Sequence, residues 1–192
     1  VAGFNVPPGF VITAQAFDQF IVESDLGVEI ERALERVNPS NLNSVEVASH
    51  RLQALITNAA MPEDIANAIL HSYYHLSNKI KKKNCFVAVR SSATAEDSAI
   101  ASWAGELETY LDTTAGSLLR NVQFCWASLF TPRAIVYGCE MGVWPPHEKP
   151  PDFMQGRRPA RRFKKKQRAA AVGVTCPVKV AVVVQSMVAS EM

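Results

Sequence analysis

With 192 residues, 48% of them apolar, the chain has material for one ordinary domain, or two small ones, around a real core. It has no apolar run of the roughly eighteen residues that would suggest a membrane helix. Val1 is not followed by a basic and then apolar leader, so no secretory signal is expected, and the missing initiator Met reads as the interior of a longer protein. The formal charge of +2 hides two unlike parts: residues 1–150 carry 11 Lys/Arg against 16 Asp/Glu, a net of −5, and residues 151–192 carry 9 against 2, a net of +7. Cys85, Cys125, Cys139 and Cys176 include no metal-type CxxC pair. They are expected as reduced thiols, with Cys85 and Cys125 acting as small core hydrophobes, in a cytoplasmic protein.

In chain order, Val6-Pro7-Pro8-Gly9 predicts an extended opening segment, because each proline pushes its predecessor out of the helical region. Phe10-Val11-Ile12 predicts a short strand, and Thr13 an N-cap for a helix through Phe17, Phe20 and Ile21. Gly27 is read as a breaker before a second helix bearing Val28, Ile30, Leu34 and Val37, which ends near Asn38-Pro39. A third helix is predicted over residues 44–58. A fourth opens with Pro62 in its first position and Glu63 and Asp64 in its first turn, where acids complement the helix dipole. The Lys79–Lys83 run near its end reads as a solvated basic face.

Phe86-Val87-Ala88-Val89 predicts a buried strand that leads straight into a loop of small and hydroxylated residues, Arg90 to Asp97. A second small-residue loop spans Ala101 to Gly105, and Glu108-Thr109-Tyr110-Leu111 suits another strand. Leu118, Leu119, Val122, Trp126 and Leu129 trace an amphipathic helix, and Thr131-Pro132 restarts one through Tyr137. From Gly138 to Pro177 periodicity is lost among Pro pairs and basic residues, which predicts a disordered insertion. Strand character returns at Val178 to Gln185.

A strand that delivers Arg90 into Ser91, Ser92, Ala93 and Thr94 suits polyphosphate chemistry. A guanidinium can grip two phosphate oxygens at once, hydroxyls donate, and small side chains let backbone N–H groups approach an anion. Glu96 and Asp97 could approach Mg2+. The same residues also fit a plain turn, with Arg90 paired to Glu96 or Asp97.

The segments Val89-Arg90-Ser91-Ser92-Ala93-Thr94-Ala95-Glu96-Asp97, Ala101-Ser102-Trp103-Ala104-Gly105 and Glu108-Thr109, with Val6 to Thr13 before them and Val182 to Val188 after, closely resemble the N-terminal ATP-binding domain of phosphoenolpyruvate synthases. Rifampin phosphotransferases share that nucleotide domain, and pyruvate phosphate dikinases share it more loosely. The resemblance covers residues 1–137 and 178–192. It implies an α+β ATP-grasp domain, here partial, with a helical subdomain and a mixed sheet, that takes ATP with Mg2+. It implies that Arg90 contacts the phosphates as the catalytic group, that Ser91, Ser92, Ala93, Thr94 and Thr109 line the phosphate region, and that Ser102, Ala104 and Gly105 belong to a mobile lid. Gln185, Met187 and Val188 would line the adenine.

The resemblance further implies phosphoryl transfer through a histidine on a separate domain to pyruvate. The phosphate-binding lysine, the magnesium-binding acids, and the phosphohistidine and pyruvate domains of that family have no counterpart here, so the chain is expected to be inactive alone. Trp103 and Glu106 stand where Phe and Gln are usual, and residues 138–177 match nothing in the pattern. The division expected is therefore 1–137 as the front of the nucleotide domain, 138–177 as an insertion, and 178–192 as the returning strand and adenine hinge. His50, His71, His75 and His147 read as surface or packing residues. The Arg157–Arg168 cluster, with eight basic residues, could bind nucleic acid by counterion release. Its one aromatic, Phe163, gives little base stacking, so it reads as a solvated loop.

Overall fold

Pro7 and Pro8 keep the chain extended into β1 (Gly9–Ile12), and Thr13, in extended geometry, marks the turn into α1 (Ala14–Glu23). The computed structural model describes residues 6–93, 108–140 and 180–187. The break after α1 falls at Ser24 to Leu26, with Asp25 at φ 52°, and Gly27 opens α2 (Gly27–Glu35) instead of separating the two helices. α3 (Leu42–Asn58) begins two residues earlier than its apolar spacing predicts, because the Asn41 side chain accepts the Ser44 N–H and caps it there. α4 (Glu63–Lys79) follows Pro62, and its acidic first turn and terminal Lys79 both complement the dipole.

β2 (Val87–Ala93) continues through residues that the sequence assigns to a loop. Arg90, Ser91, Ser92 and Ala93 stay extended because each is paired in a ladder, from Arg90 opposite Val183 to Ala93 opposite Val180. β3 (Thr109–Thr113), α5 (Ala115–Ala127), a 3-10 turn at Ser128–Phe130 and α6 (Pro132–Glu140) complete the second block. α6 thus carries helix past Gly138, where loss of pattern was expected. β4 (Val180–Ser186) brings the late part of the chain back into the sheet.

The strand order is β1-β4-β2-β3, and all three pairings are antiparallel where the sequence suggested a mixed sheet. The class is α+β. β4 lies between β1 and β2, so residues far apart in sequence share one hydrogen-bonded body. In β3 one extra residue separates the Val89–Tyr110 and Val87–Thr113 pairs. Asp112, at φ 50°, takes up this bulge in the left-handed region that Asp tolerates.

Alternation along the strands divides the sheet. Val87, Val89, Val180, Val182 and Val184 are fully buried against a core shared with α1, α4 and α5. Trp126 of α5 lies at its centre, 4.9 Å from the Phe20 ring and 5.7 Å from that of Phe17. Buried polar groups tie the helices together: Ser49 Oγ donates to the Phe130 carbonyl at 2.7 Å, and Gln123 Nε2 donates to the carbonyls of Ile56 and Ala59, supplying partners for the end of α3. The Tyr73 hydroxyl donates to the Cys85 carbonyl and fixes the approach to β2.

Candidate functional site

Arg90 is the pivot. It lies in the middle of the sheet with Val183 of β4 on one side and Thr109 of β3 on the other. Val89 before it is wholly buried, so the pleat turns Arg90 to the opposite face, where it is exposed. Ser92, two residues on, shares that face, as does Thr109 directly across the β2–β3 ladder; both are exposed. Gln185 is opposite Ala88, one diagonal step from Arg90, a separation of roughly 7–8 Å between backbones. Arg90, Ser92, Thr109 and Gln185 thus lie on one sheet face.

Ser91 belongs elsewhere. It follows the inward phase of the pleat, and both its N–H and its hydroxyl donate to the Glu108 carbonyl at 3.2 Å. These bonds hold the start of β3 against β2 and keep Thr109 beside Arg90. Ala93 closes β2 opposite Val180. Gln185 is also committed: its amide donates to the Pro7 carbonyl at 3.1 Å, which pins the opening segment to β4. The Met187 N–H donates to the Phe86 carbonyl at 3.0 Å, so Met187 continues the β2–β4 pairing at the end nearest Gln185. Thr94, Ser102, Ala104, Gly105 and Val188 lie outside the described residues, as do Glu96, Asp97 and the Arg157–Arg168 cluster.

Behind Arg90, the inner face is chemically quiet. Burial pushes the Cys125 thiol up to about 12, helped by the negative charge of Glu108 and partly opposed by a hydrogen bond from the Ser91 backbone. Tyr110 is also raised to about 12, by burial first and then by Glu108. Cys125 therefore stays a thiol and serves as packing, not as a nucleophile. Cys85 and Cys139 are also free thiols. Among the described residues no three His, Cys, Asp or Glu side chains gather as a metal site, and no helix is long and apolar enough to cross a membrane.

Sequence reasoning missed two parts of this arrangement. The carbonyls of Glu108 and Pro7 orient Ser91 and Gln185, yet a carbonyl has no letter in a sequence. A cleft of about 770 Å³ near Leu26, Arg51 and Met61 was also unforeseen. It lies among the ends of α1, α3 and α4 and contains none of the residues expected to bind nucleotide.

Comparison with known proteins identifies the family. The chain is 42% identical over 137 residues to a probable phosphoenolpyruvate synthase of Methanothermobacter thermautotrophicus, covering 71% of this chain and 20% of that protein. It is 43% identical over 136 residues to the phosphoenolpyruvate synthase of Aquifex aeolicus, covering 70% of this chain and 16% of that protein. Rifampicin phosphotransferase of Streptomyces sviceus is 35% identical over 145 residues, covering 74% of this chain and 16% of that protein. The chain thus spans a fifth or less of each of these three relatives. Residues 1–192 match the pyruvate phosphate dikinase, AMP/ATP-binding domain family, and the chain belongs to that family.

Proposed function

We propose that this chain supplies part of an ATP-grasp site in a phosphoenolpyruvate synthase-like dikinase, with the polyphosphate of ATP lying over the outer face of β2. The observation that carries this reading is the placement of Arg90, Ser92 and Thr109 together on that face, with Gln185 a diagonal step away. A guanidinium flanked by hydroxyls matches an anion that offers several acceptor oxygens and no donors. Arg90 is fixed by ladder bonds on both sides of its strand, so it can hold a phosphate without much loss of backbone freedom on binding. The Met187 end of β4 is the natural place for the adenine, two residues beyond Gln185, which lies opposite Ala88.

Mg2+ would neutralise phosphate charge when bound with ATP. The chain's own described groups position and neutralise the phosphates, which is the larger part of catalysis in phosphoryl transfer. In the whole protein the phosphoryl group would pass from ATP to a histidine of another domain and then to pyruvate. The match to rifampicin phosphotransferase favours a second reading, in which the same nucleotide face serves an antibiotic acceptor.

Thermal unfolding of the chain, titrated with Mg-ATP beside Mg-GTP and an Arg90→Ala variant, tests the reading. A bound nucleotide at 100 times its Kd adds about 2.7 kcal/mol of apparent stability. The transition should rise with ATP, less with GTP, and less in the variant. A cooperative transition blind to ATP overturns it.

A further inference from the structure

On the far edge of the sheet, β1 and α4 enclose a second cleft, of about 270 Å³. Gly9 and Phe10 form one wall, and His71, His75, Leu76 and Lys79 form the other. The three basic residues are spaced four apart, so α4 carries them on one stripe. Ser72 also lines the cleft, but its hydroxyl already donates to the Ala68 carbonyl at 2.8 Å. Among the described residues no carboxylate lines it, and the sequence contains no Asp or Glu from Ile65 to Ala95.

The strand wall adds a donor. The Ser186 N–H donates to the Pro8 carbonyl at 2.9 Å, which makes that pair a bonded step of the β1–β4 ladder. In an antiparallel ladder bonded and non-bonded pairs alternate, so Phe10–Val184 is bonded and Gly9–Gln185 is not. The Gly9 N–H therefore points away from β4, toward the edge that α4 flanks. Lys79 places a positive charge beside the two imidazoles, and a positive charge in a concave site with apolar walls concentrates a potential that attracts anions.

We propose that this cleft binds a small organic anion, a phosphate ester or a carboxylate. Lys79 and His75 hold the charged end, His71 and the Gly9 N–H complete its shell, and Phe10 and Leu76 cover the apolar body. The site is separate from the nucleotide face, since β4 lies between β1 and the strand bearing Arg90.

Titrating the whole chain with inorganic phosphate and with acetate, read by calorimetry and by the ring signals of His71 and His75, tests this. Lys79→Gln should weaken anion binding by about tenfold, the scale of one charge-assisted hydrogen bond. Arg90→Ala removes any phosphate held on the nucleotide face, so the binding read at the His71 and His75 ring signals should remain in that variant. Tighter phosphate binding assigns a phosphate ester, and tighter acetate binding assigns a carboxylate. Binding that survives Lys79→Gln, that disappears with Arg90→Ala, or that is absent while the two imidazoles take Zn2+ overturns the proposal.

Discussion

The two faces of the sheet are made from the same four strands and do opposite work. On the inner face Val87, Val89, Val182 and Val184 are fully buried beneath Trp126, Phe17 and Phe20. On the outer face the interleaved residues Ala88, Arg90, Ser92, Thr109 and Gln185 are exposed or half-buried. A strand changes face at every residue, so Val89 and Arg90 are neighbours in sequence with no shared role. The packed face holds the strands in register, and that register, with the Ser91 bonds to the Glu108 carbonyl, sets Arg90 beside Thr109. Stability and recognition should therefore separate cleanly under mutation.

The largest effect should come from the packed face. Trp126→Ala removes the biggest fully buried side chain and leaves a cavity between α1 and α5. The expected loss is about 3–5 kcal/mol, a large share of the 5–15 kcal/mol typical of a domain. Urea unfolding would show it as a lowered midpoint, and a midpoint that barely moves would deny that this core holds the sheet. Gly9→Ala should come next. A Cβ there would run into the Val184 carbonyl oxygen and lie 3.1 Å from the Gln185 Cα. β1 would have to shift from β4, at a cost of about 1–3 kcal/mol. Because Gln185 donates to Pro7, the same variant should also weaken nucleotide binding.

Alkaline pH gives a milder test of the inner face. Cys125 and Tyr110 both keep their protons to about 12 in the folded chain, above their ordinary values of 9.0 and 10.0. Each group's contribution is complete below its ordinary value and is lost as pH rises toward 12. The melting temperature should fall across that window, and Cys125→Ala should flatten the early part of the fall near pH 9 to 10. An unchanged slope would mean that the thiol reaches solvent.

Much of this division could be read from the residues. The apolar spacing of α1, α3, α4 and α5 located the core helices, and the valine runs located β2 and β4. Where the reading failed, the cause was pairing across the chain. Arg90 to Ala93 have loop-like side chains, yet β4, arriving some ninety residues later, holds them in a strand. Gly27 has breaker chemistry but sits in the first turn of α2, where helix geometry costs a glycine less, while the break is made by Asp25 in the left-handed region. The resemblance pointed to Arg90 and Thr109, and the sheet places the two opposite each other. Ser91 was grouped with them because sequence order does not show the pleat's phase, and the Glu108 and Pro7 carbonyls that orient the site have no side-chain signature.

The smallest effect on stability, and the sharpest test of the comparison, should come from Arg90→Ala. Arg90 is exposed, follows a buried valine and lies between two paired strands, so its backbone bonds survive the change. Surface substitutions of this kind usually alter stability by no more than about 0.5 kcal/mol. Removing a guanidinium that holds phosphate oxygens should instead weaken ATP by about tenfold or more. The two quantities come from one pair of unfolding titrations, without and with nucleotide. A variant that loses stability without ATP would place Arg90 among the groups that hold the sheet together. A variant that keeps both its stability and its ATP response would remove Arg90 from the phosphate site. Only the split result, unchanged stability with a lost ATP response, fits a strand whose alternate residues build the core and bind the ligand.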